Sequence, residues 1–157
     1  DSRVISIDLN EQAEAQEAFS NHSLKGYIAD YIIDSAVSPK AIQRVRNLVS
    51  ADPGATMVFL DDDHNRDHVL TELREYSSMV TPGSIIVVAD TVFEDLSGSP
   101  VGKRTAKYEN VGKSNPRAAV QAFLEENDDF QQDASFLGAG GACMFPDGFL
   151  RRVGKHQ

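Results

Sequence analysis

The sequence concentrates its reactive side chains at Asp61-Asp62-Asp63-His64, with His68 one helical turn further on and Asp90 beyond. Three adjacent carboxylates repel one another and are costly to hold in a cleft unless a cation offsets them. Oxygen ligands from Asp61 or Asp63 together with Asp90 suit Mg²⁺, which takes one or two carboxylates and completes its octahedron with water and substrate oxygens. The same run also reads as a solvated turn that caps the next helix. His64 is a candidate general base, because an imidazole titrates near neutral pH; a locally hydrogen-bonded histidine at a helix start is the alternative. His68 could share a face with His64, but the intervening Asn65-Arg66-Asp67 lacks the glutamate of a zinc-protease motif, which excludes that class. Pairing of Asp63 or Asp67 with Arg66 or Arg74 accounts for the other local charges.

Such groups need parallel strands behind them, since ligands in an open α/β sheet bind outside the strands' carboxyl ends. The chain supplies the alternation. Val4-Ile5-Ser6-Ile7-Asp8 reads as a short β-branched strand, Glu11 to Phe19 as a helix, and Ile28 to Ile33 as a strand closing at Asp34-Ser35. Ser38-Pro39 supplies an N-cap and a first-turn proline for a helix with Ile42, Val45, Leu48 and Val49 on one face. Met57 to Leu60 is a continuous apolar run, expected as a central strand covered on both faces. A helix near Arg66 to Tyr76 buries Val69, Leu70, Leu73 and Tyr76, and Pro82-Gly83 turns into the strand Ile85 to Val88. From Phe93 to Ser114 the pattern dissolves, as in a lid or substrate loop. Asn115-Pro116 then opens a helix with Val120, Phe123 and Leu124 inward. Phe130 to Val153 reads as an edge hairpin joined through the glycine-rich Leu137 to Gly141 and interrupted by Pro146-Asp147-Gly148. Four expected strands thus end in acids: Asp8, Asp34, the Asp61 run and Asp90. An acid after the second strand of such a unit suits a ribose diol, though a helix cap is the ordinary alternative.

Composition narrows the partners. With 157 residues, 41% hydrophobic, one domain is expected. A net charge of −9 argues against nucleic acid and favours a small-molecule substrate. Arg151, Arg152 and Lys155 form the terminal basic cluster, expected to solubilise a strand end. The single cysteine, Cys143, rules out an intrachain disulfide, fits a cytoplasmic setting and, between apolar neighbours, reads as a buried packing thiol. No apolar run approaches the roughly 20 residues of a membrane-spanning helix, so no membrane partner is expected. A homo-oligomer remains compatible with the sequence.

The stretch from Phe59-Leu60-Asp61-Asp62-Asp63-His64 through Leu73 resembles the LDSDHSRDHVLxEL segment of the cephalosporin hydroxylase family. The similarity continues through Val80-Thr81-Pro82-Gly83-Ser84 to Asp90, Asn115-Pro116 to Leu124, and Gly148-Phe149-Leu150-Arg151-Arg152-Val153. It implies an α/β, Rossmann-like methyltransferase sheet, mostly parallel with a C-terminal antiparallel hairpin, that binds S-adenosylmethionine. On this resemblance residues 1–157 form a single partial domain, with 93–114 as the substrate or lid loop. The first strand and its glycine-rich turn are expected to lie outside this chain, between the strand ending at Asp8 and the one ending at Asp61. Asp8, Asp34, Ser35 and Asp61 would contact the cofactor, Asp61 and Asp90 would ligate Mg²⁺, and His64 would deprotonate a substrate hydroxyl. Many magnesium-dependent relatives carry Glu-Asp where this chain has Ala89-Asp90, and Asp63 is the expected substitute ligand. The expected activity is O-methylation, or a role in oxidative tailoring, of a hydroxylated small molecule such as a sugar or secondary metabolite. A non-catalytic binding or scaffold domain of the same fold is the alternative. Direct hydroxylation is not expected, because no iron triad, haem ligand motif or flavin site is apparent.

Overall fold

The computed structural model describes residues 2–11, 13–100, 110–136 and 143–154. Its contacts gather into two compact units, Asp1–Asp52 and Pro53–Gln157. In the first, β1 (Val4–Asp8) is followed by α1 (Ala13–Asn21), β2 (Ile28–Ile33) and α2 (Pro39–Ala51). β1 and β2 pair in parallel, and the Asp34 N–H extends the ladder by donating to the Asp8 carbonyl at 2.9 Å. Ser38 caps α2, its hydroxyl accepting from the Ala41 N–H at 3.0 Å, and Pro39 occupies the first turn, where its missing N–H costs nothing. Ala41, Ile42 and Val45 form the buried stripe of α2, while Arg44 ties it to β2 through Asp30, 2.7 Å from Nη2 to Oδ1.

The second unit contains β3 (Val58–Leu60), α3 (Arg66–Tyr76), β4 (Ile85–Val88), α4 (Pro116–Glu126), β5 (Phe130–Gln132) and β6 (Phe149–Arg152), with sheet order β3-β4-β6-β5. β4 lies inside this sheet. Its Ile86, Val87 and Val88 are buried, with Leu60, Val69, Leu73, Val120, Phe123 and Leu150 among the core around them. α3 and α4 pack on one another and are bridged by a bidentate pair, Arg74 to Glu126 at 2.6 and 2.7 Å. Asn65 caps α3 by accepting from the Asp67 N–H at 3.1 Å. Asn115 caps α4 at 2.8 Å and, fully buried, donates its amide to the Val111 carbonyl at 2.7 Å.

Several expectations change. The two-stranded sheet is parallel and the four-stranded sheet is mixed: β1–β2 and β3–β4 are parallel, whereas β4–β6 and β5–β6 are antiparallel, so β6 is the reversed strand and β5–β6 the expected C-terminal antiparallel pair. β3 is an end strand and is not covered on both faces, since Phe59 is 52% exposed and Met57 57%. Arg151 and Arg152 do more than solubilise: Arg151 binds Asp133 and donates to the Gly83 carbonyl at 2.7 Å, and Arg152 donates to the Val80 carbonyl. Arg66 pairs with Asp67 at 2.8 Å as expected, but Arg74 goes to Glu126. Cys143 is half-buried, its sulfur accepting from the Phe145 N–H at 3.2 Å. The start of the expected loop overlaps the 3₁₀ turn Thr91–Glu94; residues 101–109, the glycine-rich residues 137–142 and Lys155 lie outside the described residues.

Gly148 is where β6 closes on β4. Its carbonyl accepts from the Val88 N–H at 2.8 Å, and a Cβ at this position would collide with the Val88 carbonyl oxygen. Forcing atoms into a packed interior typically costs 1–3 kcal/mol. Gly148→Ala is therefore expected to destabilise the protein by about that amount. Urea unfolding checks this, and an unchanged midpoint would show that the strand junction yields freely.

Candidate active site

Leu60 and Val88 stand opposite each other at the carboxyl ends of parallel strands, and the Ala89 N–H donates to the Leu60 carbonyl at 2.9 Å. The acids beyond these two residues therefore emerge at the same end of the sheet. Asp90 sits in the left-handed region, φ 55° and ψ 25°, a conformation that aspartate tolerates better than most residues. Flanking contacts hold this turn. The Thr91 hydroxyl donates to the Pro146 carbonyl at 2.5 Å, and Arg117 of α4 grips Asp95 with two hydrogen bonds, 2.8 and 2.7 Å. The same guanidinium lies 3.5 Å from Glu94 and 3.6 Å from Asp147, so one cation fixes the segment after Asp90 and the turn before β6.

His64 leaves the loop between β3 and α3 and meets both strand ends. Its Nε2 lies 2.8 Å from Asp90 Oδ2 and 4.0 Å from Asp61 Oδ1, with the Phe93 ring 4.9 Å away. The imidazole and Asp90 are mostly buried, whereas Asp61 is half exposed. Burial pushes the Asp61 carboxyl above its ordinary range, the charge of Asp90 pushes it further, and His64 opposes both. One ligand atom from each of Asp61, His64 and Asp90 lies within 4.8 Å of the others. The two carboxylate oxygens are a fitting donor set for a hard divalent cation, and the imidazole nitrogen stands beside them.

Asp63 stands apart from that trio, its Oδ1 accepting from the Asn65 N–H at 2.7 Å. Beside the site a cavity of about 580 Å³ is lined by Asp63, His64, Arg66, Asn110, Lys113 and Ser114, among others. Asp8, Asp34 and Ser35 come together within the first unit, at the carboxyl ends of β1 and β2. Asp34 Oδ1 accepts from the Ser35 N–H at 2.8 Å and Asp8 Oδ1 from the Asn10 N–H at 3.3 Å. Both acids are half-buried acceptors.

A family profile described as rhamnosyl O-methyltransferase/CmcI matches residues 1–153. The chain belongs to that family. Rhamnosyl O-methyltransferases of Mycobacterium bovis (strain BCG / Pasteur 1173P2) and Mycobacterium tuberculosis (strain ATCC 25618 / H37Rv) are 28% identical to it over 125 residues, 78% of this chain and 46% of theirs. The Mycobacterium leprae (strain TN) protein of the same name is 28% identical over 123 residues, 78% of this chain and 49% of its own. The chain thus spans about half the length of the curated relatives it matches.

The chain also carries a second cluster that sequence reasoning missed. His68 turns away from His64, its Nε2 lying 3.1 Å from Asp62 Oδ2, and Glu72 sits one turn later on α3, only 2% exposed. A signal existed: Glu72 falls three residues after Val69 and four before Tyr76, on the helix's apolar face. Burial drives the Glu72 carboxyl up to about 9, reinforced by the charge of Asp62, a hydrogen bond from its protonated form to Asp62, and the charge of Asp63.

Between the ordinary carboxyl value of 4.5 and about 9, the folded protein without metal keeps a proton on Glu72 that the unfolded chain has released. Stability from this group is fully present below the lower value and is lost as pH rises through the window. In chelator, Glu72→Gln is expected to flatten the decline in unfolding free energy between about pH 5 and pH 9, because glutamine mimics the protonated acid at every pH. Denaturant titrations across that range measure it; parallel curves for the two proteins would mean that Glu72 ionises freely.

Proposed function

We propose that this chain forms part of an S-adenosylmethionine-dependent O-methyltransferase acting on a hydroxyl of a rhamnosyl or similar sugar, assisted by Mg²⁺. The observation that carries the reading is the 2.8 Å contact of His64 Nε2 with Asp90 Oδ2, with Asp61 beside them at the carboxyl ends of β3 and β4. This puts a base beside a carboxylate that can balance its positive charge, together with oxygen donors for a hard cation. Membership of the rhamnosyl O-methyltransferase/CmcI family and the names of the mycobacterial relatives support the reaction class.

Asp61 and Asp90 would hold the cation, whose chemistry is to make a bound hydroxyl easier to deprotonate. With Ala89 beside Asp90, this chain offers no carboxylate at that neighbouring position. S-adenosylmethionine supplies an electrophilic sulfonium methyl. Asp8 and Asp34 suit its ribose, because both carboxylates are half-buried and accept hydrogen bonds at adjacent strand ends, and Ser35 lies beside them. His64 takes the substrate proton in the tautomer that carries its hydrogen on Nδ1 and keeps a lone pair on Nε2; the proton gained at Nε2 is then held toward Asp90 Oδ2, which balances the imidazolium. The cavity beside His64 receives the sugar, with Asn110, Ser114 and the Lys113 ammonium as polar partners.

The test belongs on the full-length protein, with methyl transfer from labelled S-adenosylmethionine as readout. Asp90→Asn is expected to reduce transfer sharply while leaving S-adenosylmethionine affinity within severalfold, and His64→Ala to lower turnover by roughly 10²–10⁴, the usual worth of a general base. Mg²⁺ affinity should hold steady in His64→Ala, whereas a parallel loss would make the imidazole a ligand instead. Full activity in excess chelator would remove the cation from the proposal, and absence of S-adenosylmethionine binding would favour a scaffold domain.

A further inference from the structure

The site at Asp61, His64 and Asp90 leaves unexplained the cluster on the neighbouring face of α3. His68 and Glu72, four residues apart, project from the same side of that helix. Asp62, from the loop before it, reaches the same point, so that one ligand atom from each of the three lies within 4.8 Å of the others. Asp62 and His68 keep part of their surface open, giving an ion a route in, while Glu72 forms the floor.

The floor is the informative part. Glu72 is almost fully enclosed, and as a carboxylate it would present a buried Oε2 to which no group donates. An unsatisfied buried acceptor costs about 1–3 kcal/mol, and more when it is charged. Asp62 adds a second negative charge instead of relief, and His68, which faces Asp62, is the imidazole available to offset it. Two species fit between such carboxylates: a shared proton, or a cation bound by all three side chains. A shared proton satisfies the two carboxylates without drawing on His68 beyond its contact with Asp62, whereas a cation would take the imidazole nitrogen as a third donor. Its presence, on the helical register that also brings up Glu72, favours the cation.

We propose that Asp62, His68 and Glu72 form a second metal site, separate from Asp61 and Asp90, that binds a Zn²⁺-type divalent ion. One imidazole nitrogen and two carboxylate oxygens match the three-ligand sets with which proteins hold zinc while leaving a further position for water. Mg²⁺, which prefers an all-oxygen shell, is the poorer occupant. The ion would join the start of α3 to the loop leaving β3, and so fix the stretch that carries His64.

The experiment uses the full-length protein with Asp61→Asn and Asp90→Asn together, so that the first site is disabled and the outcome does not depend on the proposed methyl transfer. Equilibrium dialysis against Zn²⁺, with Co²⁺ absorption as a report on nitrogen and oxygen ligation, is expected to give one ion per chain, together with a rise in unfolding temperature. Glu72→Gln and His68→Ala should each weaken zinc binding by at least about 10-fold, the lower end of what even supporting groups contribute. Glu72→Gln should also lose the zinc-dependent rise while folding at least as well as its parent in chelator. Two variants keep the result readable if one fails to fold, since His68 is partly exposed and tolerant of truncation. Absence of stoichiometric zinc in the double variant, or binding unchanged by both substitutions, would overturn the proposal and leave a proton shared by Glu72 and Asp62.

Discussion

Mutual repulsion among carboxylates is the constraint around which the second unit is arranged. Asp61, Asp62, Asp63, Asp90 and Glu72 crowd one end of a short sheet, where the imidazoles of His64 and His68 meet Asp90 and Asp62. Like charges a few ångströms apart in a partly desolvated region raise each other's proton affinity. Asp61 and Glu72 both respond in that direction. A chain selected for stability alone would spread these acids out. Holding them together has a cost that a bound ion, a transferred proton or a polar substrate can recover.

The rest of the unit supplies the rigidity this requires. Leu60 and Val88 align the two strand ends, Gly148 lets β6 come close enough to lock β4, and Asp90 turns back through a left-handed residue. Arg117 restrains the turn after Asp90, gathering Asp95, Glu94 and Asp147 around one guanidinium. None of these residues need touch a substrate. They fix where Asp90 can be, and Asp90 fixes the ring of His64.

Local chemistry made much of this readable. Ser38-Pro39 and Asn115-Pro116 open α2 and α4 as expected, since a capping side chain and a first-turn proline act within a few residues. Val4–Asp8, Ile85–Val88 and Arg66–Tyr76 fall where β-branched runs and helical periodicity put them. The features that escaped depend on distant neighbours. Nothing near Phe59 says that its side chain stays more than half exposed, and nothing near Phe149 says that β6, rather than β5, is the hairpin strand that joins β4. The acids and His64 were legible as candidates, but the contact between His64 and Asp90 spans 26 residues of sequence. Glu72 was hidden because a charged residue amid apolar ones is easily assigned to the solvent side.

The exposed rim of β3 also bears on how the chain behaves among copies of itself. A strand at the end of its sheet, with Met57 and Phe59 more than half exposed, is a place onto which another extended segment can add. Natural sheets discourage such addition by placing charges at the rim, as gatekeepers that make stacking of like strands repulsive. β3 is only three residues long and runs straight into Asp61-Asp62-Asp63. The acids that crowd the site would therefore also keep the protein soluble, and an ion that neutralised them would weaken that protection as it bound.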